Sequence, residues 1–327
     1  MKKLLFGGVL MALVVVICVG NSFAQRPDQL KFVSGPPGGT WFSLGGTISD
    51  IMTKQVIPTT SSTGGGVSNV VNIHQGKADL GLSAALLGMP AKKGEEPFKS
   101  PLPNTYCLAN LYKQYFYFII RADYAQKHDI KTLADVFDKK LPIRVASLAP
   151  GTVSEFAVRH AFKAAGSSYD DIKALGGKIE FASYEDGANL LADNHIDAFV
   201  FTVSSPASII LQIETQLDIL ILPTDQKILD KMKADWGTAT HIIPKGTYKC
   251  ATEDIPVIGD YTNLLIRGDL PEDLVYEMTK ALFENKETLV QSISALEELN
   301  PKDGSSDTVF PIHPGAAKYY KEVGVLP

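Results

Sequence analysis

One arrangement of residues occurs twice in this chain, and it leaves few folds open. Leu30-Lys31-Phe32-Val33-Ser34 reads as a strand, followed by the loop Gly35-Pro36-Pro37-Gly38-Gly39-Thr40 and a helical run from Trp41 to Thr53. Ile143-Arg144-Val145-Ala146-Ser147 reads as a second such strand. Ala149-Pro150-Gly151-Thr152 follows it, then a helical run from Val153 to Ala165 that Gly166 stops. Thr40 and Thr152 stand 112 residues apart. Two more elements repeat at nearly the same offset. Val67, Val70, Val71 and His74 share a helical face ahead of the strand-like Ala78-Asp79-Leu80-Gly81-Leu82. A helix around Gly187 to Ala192 leads into Ile196-Asp197-Ala198-Phe199-Val200-Phe201, which puts Asp79 and Asp197 118 residues apart. Buried strands alternating with helices belong to parallel sheets covered on both faces. Gly-Thr loops are common in such proteins, but four elements in one order at offsets of 112 and 118 argue for duplication. The expectation is an α/β chain of two similar lobes, each a mostly parallel sheet flanked by helices.

Between the repeats, Cys107 to Ile120 crowds Tyr112, Tyr115, Phe116, Tyr117 and Phe118 together, a density that suits a strand. Its place makes it a crossover from one lobe to the other. If the tail rejoins the first lobe a second crossover is needed, and Trp236 to Pro244 is the expected place. The lobes then comprise residues 28–118 with 241–327, and 119–240. In the tail, Pro271-Glu272-Asp273 opens a helix with an acidic first turn, and Leu274, Met278, Leu282 and Phe283 form its apolar stripe.

The first residues are of another kind. Lys2 and Lys3 precede an apolar run from Leu4 to Val19, and Ser22-Phe23-Ala24 places small residues at the cleavage positions of a secretory leader. The run is shorter than the ~20 residues that span a bilayer, so residues 1–24 read as a cleaved signal peptide and not as an anchor. Export places Cys107 and Cys250 where a disulfide persists. The sequence leaves open a bridge between them or two buried thiols, because their Cα separation is not legible. The net charge of −5 argues against a nucleic-acid partner.

Catalytic patterns are absent from the sequence. There is no G-x-S-x-G elbow, no H-E-x-x-H and no Walker A loop, and the six histidines are scattered without metal-ligand spacing. No metal, no cofactor and no enzymatic activity are expected. What stands out are three glycine-rich loops, each ahead of a helix: Gly39-Thr40, Thr63-Gly64-Gly65-Gly66 and Gly151-Thr152. Backbone N–H groups at a helix start favour a carboxylate or phosphate, and Thr40, Thr152 and Ser154 add hydroxyl donors. Such loops lie at the carboxyl ends of parallel strands, where ligands bind. Arg121 and Arg159 are candidate partners for a ligand carboxylate. Trp41, with Tyr112 or Tyr115, is expected to form an aromatic shelf against the ligand's apolar part.

These residues resemble the TAXI family, the solute receptors of tripartite ATP-independent periplasmic (TRAP) transporters. The resemblance rests on Gly39-Thr40-Trp41, Ser62-Thr63-Gly64-Gly65-Gly66-Val67-Ser68-Asn69, Lys77-Ala78-Asp79-Leu80-Gly81, Ala149-Pro150-Gly151-Thr152 and Ile196-Asp197-Ala198-Phe199. Its most specific part is the tail: Ile243 to Tyr248, Asp269-Leu270-Pro271-Glu272-Asp273-Leu274-Val275 and His313-Pro314-Gly315-Ala316-Ala317. It implies a two-lobed periplasmic binding protein of type II-like, flytrap form. Such a protein is monomeric, works in the periplasm, binds a small organic anion (carboxylate or amino acid) between its lobes, and serves TRAP membrane permease subunits. Trp41, Gly65-Gly66, Ser83-Ala84-Ala85 and Ser204-Ser205-Pro206 depart from the family pattern where ligand contacts are expected, which makes Ser204 and Ser205 site candidates. A secreted enzyme on the same scaffold, or a sensor-coupled or surface binding protein outside transport, has no distinguishing mark in this sequence.

Overall fold

The computed structural model of the chain describes residues 26–35 and 40–327; the leader expected at 1–24 and the Gly39 site candidate lie outside the described residues. Ten strands form one curled mixed sheet: β1 Leu30–Val33, β2 Thr59–Ser62, β3 Leu80–Ala84, β4 Thr105–Arg121, β5 Arg144–Ser147, β6 Lys178–Phe181, β7 Ala198–Val203, β8 Ile219–Ile221, β9 Ala239–Ile243 and β10 Ile255–Arg267. Their order is β2-β1-β3-β10-β4-β7-β5-β6, with β8 added on β4 and β9 on β10.

The two halves repeat one plan. In the first, β1 lies between parallel β2 and β3, and β10 runs antiparallel beside β3. In the second, β5 lies between parallel β6 and β7, and β4 runs antiparallel beside β7. The repeated aspartates have matching roles. Asp79 accepts the Lys31 N–H at 2.7 Å while its own N–H donates to the Lys31 carbonyl. Asp197 does the same for Arg144, at 2.8 Å, and each carboxylate also meets a guanidinium, Arg267 for Asp79 and Arg144 for Asp197. A carboxylate here satisfies a backbone donor that the end of the ladder leaves without a partner.

Two long strands join the halves. β4 pairs with β10 over Thr105–Tyr115 and with β7 over Tyr115–Ile120. β10 pairs with β9 over Ile255–Gly259, then passes into the first half beside β4 and β3. The return is therefore made by β10 and not by Trp236 to Pro244 as the sequence suggested. Trp236 ends the helix Gln226–Trp236, and Ile243 packs with Tyr117, Ile119 and Phe199, so apolar burial keeps this stretch with the second half.

The first half buries α1 (Thr40–Gln55) and the tail helix Glu272–Glu284 against its sheet, through Leu44, Ile48, Leu274, Met278 and Leu282. A separate cluster bridges the halves: Val70 and Ile73 of α2 (Gly66–His74), with Leu86 and Leu87, pack against Phe156 and Ala157 of the helix Val153–Ala164. Burying a Phe side chain stabilises by about 1.5–3 kcal/mol, so this contact favours the lobes being together.

The two cysteines among the described residues, Cys107 and Cys250, are free thiols. Cys107 is buried in β4 against Leu265, whereas Cys250 follows β9 on the core of the second half, so no bridge joins them. Burial pushes both thiols well above their ordinary range. Among the described residues, no helix is long and apolar enough to cross a membrane.

Candidate functional site

Where β4 and β10 meet between the halves there is a cavity of about 230 Å3. Its floor comes from the crossing strands: Tyr112, Gln114 and Asp260, the last two directly opposed in register. One wall is Thr40 and Trp41, at the start of α1, with Ala84 at the end of β3. The facing wall is Val153 and Ser154, at the start of the helix Val153–Ala164, with Tyr184, Thr202, Val203 and Ser204. Two helix starts thus face one space from opposite lobes, each bringing N–H groups without helical partners and a partial positive charge.

The aromatic wall forms as a hydrogen-bonded unit. Trp41 Nε1 donates to Tyr112 Oη at 3.1 Å and to Thr262 Oγ1 at 3.3 Å, and Gln114 Nε2 donates to the same Thr262 oxygen at 3.0 Å. Tyr112, with its oxygen accepting from Trp41, keeps a proton for another acceptor; burial raises its pKa. On the facing wall Ser154 Oγ accepts the Thr202 N–H at 2.8 Å, and Tyr184 Oη donates to the Thr202 carbonyl at 2.9 Å. The Ser154 hydroxyl hydrogen is therefore also available to a ligand.

Asp260 is the one charged side chain among the described lining residues. It is 5% exposed, and its Oδ1 accepts the Leu86 N–H at 3.0 Å. No ion pair reaches it among the described residues, and burial pushes its carboxyl up to about 7 against the pull of the Leu86 and Tyr261 N–H groups.

The lobes are in contact at the cavity's edge. A Cβ on Gly66 would strike Val153 Cγ2 and come within 3.5 Å of the Trp41 ring. Arg159 Nη1 also reaches Glu96 of the first half at 3.0 Å.

Of the site residues read from the sequence, the structure places Thr40, Trp41, Tyr112, Ser154 and Ser204 in the lining, with Gly66 at its edge. Trp41 takes Tyr112 as its partner and not Tyr115, because successive strand residues point to opposite faces and the Tyr115 ring packs on His241. Tyr115 and Ser205 line a neighbouring cavity of about 380 Å3 with Lys113 and Glu298. Thr63 is exposed, and Gly64 and Gly65 fold around Asn69, whose side chain accepts the Gly65 N–H and donates to the Ser34 and Leu82 carbonyls. Gly151 turns the loop at φ +87°, and the Thr152 oxygen caps its own helix by accepting the Glu155 N–H.

Arg121 is not at the cavity. It lies at the far end of β4, where Nη1 donates to the Leu191 carbonyl at 2.9 Å and the other nitrogens bind Asp123. Arg159 is engaged by Glu155 and Glu96. Gln114, Tyr184, Thr202 and Asp260 were missed. Only Asp260 left a signal: a lone acidic residue inside the apolar run Ile255 to Ile266.

This architecture has relatives among solved structures. PhnD1 from Prochlorococcus marinus, in complex with methylphosphonate, superposes with a TM-score of 0.50 at 14% identity, covering 92% of this chain and 100% of that one. MatC from Rhodopseudomonas palustris, with bound malate, gives 0.51 at 13% identity, covering 91% and 97%. XAC2383 from Xanthomonas citri, bound to chloride ion, gives 0.50 at 11% identity, covering 91% and 96%. At such identities the likeness is one of fold, the two-lobed fold of periplasmic binding proteins. The family model of the NMT1-like family matches residues 32–324, nearly all of the described chain, and the chain belongs to that family.

Proposed function

We propose that this protein is the solute receptor of a TRAP transport system of the TAXI type. It captures a small organic anion, a carboxylate or amino acid, between its lobes and presents it to the membrane permease. The observation that carries this reading is the cavity between the starts of α1 and the helix Val153–Ala164, which Ser154 and Tyr112 line with their hydroxyls. Methylphosphonate and malate in structures of the same fold support an anionic ligand. The motifs around Thr40, Gly64, Asp79, Pro271 and His313 support the TAXI assignment.

The working cycle follows from the sheet. The lobes, 28–118 with the chain after the β10 crossing and 119 up to that crossing, turn about the strands they share. A ligand touching both walls binds the closed arrangement better and shifts the population toward it. Export to the periplasm as a monomer, after loss of residues 1–24, completes the reading.

A thermal-shift screen of carboxylates and amino acids tests it, because binding stabilises by RT ln(1 + [L]/Kd). The expected result is a saturable rise in melting temperature for a narrow set of compounds. Uptake of the hit into proteoliposomes carrying a TRAP permease should then require the protein. A flat screen, or uptake that ignores it, contradicts the proposal.

A further inference from the structure

We propose that Asp260 is an ammonium-binding carboxylate and that the ligand bears a protonated amine, as an amino acid does, and is not a simple organic acid. This deepens the proposed function and rests on it.

The charge distribution of the cavity leads there. Its positive features are diffuse and lie on the walls, at the helix starts. Arg121 and Arg159, the arginines the sequence offered for a carboxylate, are held elsewhere by Asp123, Leu191, Glu155 and Glu96. The floor carries Asp260, more than nine-tenths buried, without a cation near it among the described residues. An ionised carboxylate in such a place repels a dicarboxylate, while a ligand ammonium supplies the missing counter-charge and a charge-assisted hydrogen bond. The distribution thus matches a zwitterion: carboxylate toward the walls, ammonium toward the floor. Asp260 is held for this, since the Leu86 and Tyr261 N–H groups orient it from its own side of the sheet.

The residues that line the cavity with Asp260 add no charge of their own. From β4 come Gln114 and Tyr112, from β3 Ala84, from α1 Trp41, and from the second lobe Ser154 and Tyr184. Burial holds both tyrosines protonated well past neutrality. With Asp260 alone raised to about 7, an ammonium ligand has to displace its proton, so affinity should rise from pH 6 to pH 8.

The test uses matched pairs on the whole mature chain: glutamate and 2-oxoglutarate, alanine and pyruvate, leucine and its 2-oxo acid, with the other amino acids as a panel, read by thermal shift and calorimetry. The expected result is that at least one amine-bearing member binds while its oxo partner does not. In Asp260→Asn its affinity should fall roughly 10–100-fold, and the rise between pH 6 and pH 8 should vanish. Unchanged circular dichroism and a sharp unfolding transition establish that the variant folds. If oxo acids or other amine-free anions bind, and Asp260→Asn binds them as well or better, this inference is overturned while the receptor function stands. If neither class binds at millimolar concentration, both readings fall.

Discussion

Asp260, Asn69 and Trp41 each make a claim that a single substitution checks. A carboxyl raised from its ordinary value to about 7 binds more protons folded than unfolded between about pH 4 and pH 7. Its contribution to stability is therefore whole at low pH and is lost as pH rises through 7. Ligand-free Asp260→Asn should accordingly melt above wild type at pH 8 and level with it near pH 4. Asn69 links the α2 loop to the ends of β1 and β3 by donating to Ser34 and Leu82 at 2.7 and 2.8 Å. Asn69→Ala leaves those buried carbonyls without partners, so denaturant unfolding should show a loss of about 1–3 kcal/mol. Trp41 and Trp236 are the two tryptophans of the chain, and Trp41 lines the cavity. Ligand addition should change the intrinsic fluorescence of wild type but hardly that of Trp41→Phe. Arg121→Ala should leave affinity as it is. The sequence shows Arg121 beside an aromatic strand but not which end of that strand meets the ligand, and a strand of 17 residues carries its ends far apart.

At the scale of elements, the informative position is the start of α2. Gly66 lies where the first lobe touches Val153 of the second, and the φ of a helix start does not require glycine there; the closeness of Val153 does. Gly66→Ala therefore should leave each lobe intact and hinder their approach. Overpacking of this kind costs about 1–3 kcal/mol, roughly a tenfold loss of ligand affinity with little change in the unliganded melting temperature. The twin caps make a parallel case. Asp197→Ala removes the acceptor for the buried Arg144 N–H and its guanidinium, and should destabilise by about 1–3 kcal/mol without changing ligand selectivity. Both aspartates were legible as a repeat because they sit just ahead of strands of like pattern. Their work was not legible, since a carboxylate reaching a neighbouring strand's N–H is a contact across 48 or 53 residues.

For the molecule as a whole, closure and acid stability follow from what lies between the lobes. Small-angle scattering should show the protein contract when a binding compound is added, and Gly66→Ala contract less. His160, whose ring packs on Trp236 at 3.9 Å, and His241, packed under Tyr115, are both pushed down to about 4 by burial. A histidine with a lowered folded pKa binds fewer protons folded than unfolded, so its share of stability is whole above about 6.5 and is lost as pH falls toward 4. Wild-type melting temperature should drop across that window, and Asp260→Asn should drop more steeply because the opposing group is gone. By itself the sequence determined the α/β class, the duplicated strand–loop–helix plan and two helix starts, read at Trp41 and Val153 against Thr40 and Val153 in the structure. These rest on local periodicity, turn residues and a repeat, all written in neighbouring positions. The tertiary structure decided the return through β10, the separate fates of Cys107 and Cys250, the place of Arg121 at the far end of β4, and the placing of Asp260 in the lining of the cavity between the lobes. Each depends on which distant strands pair and in what register, and a shift of one residue there turns a side chain to the opposite face of the sheet.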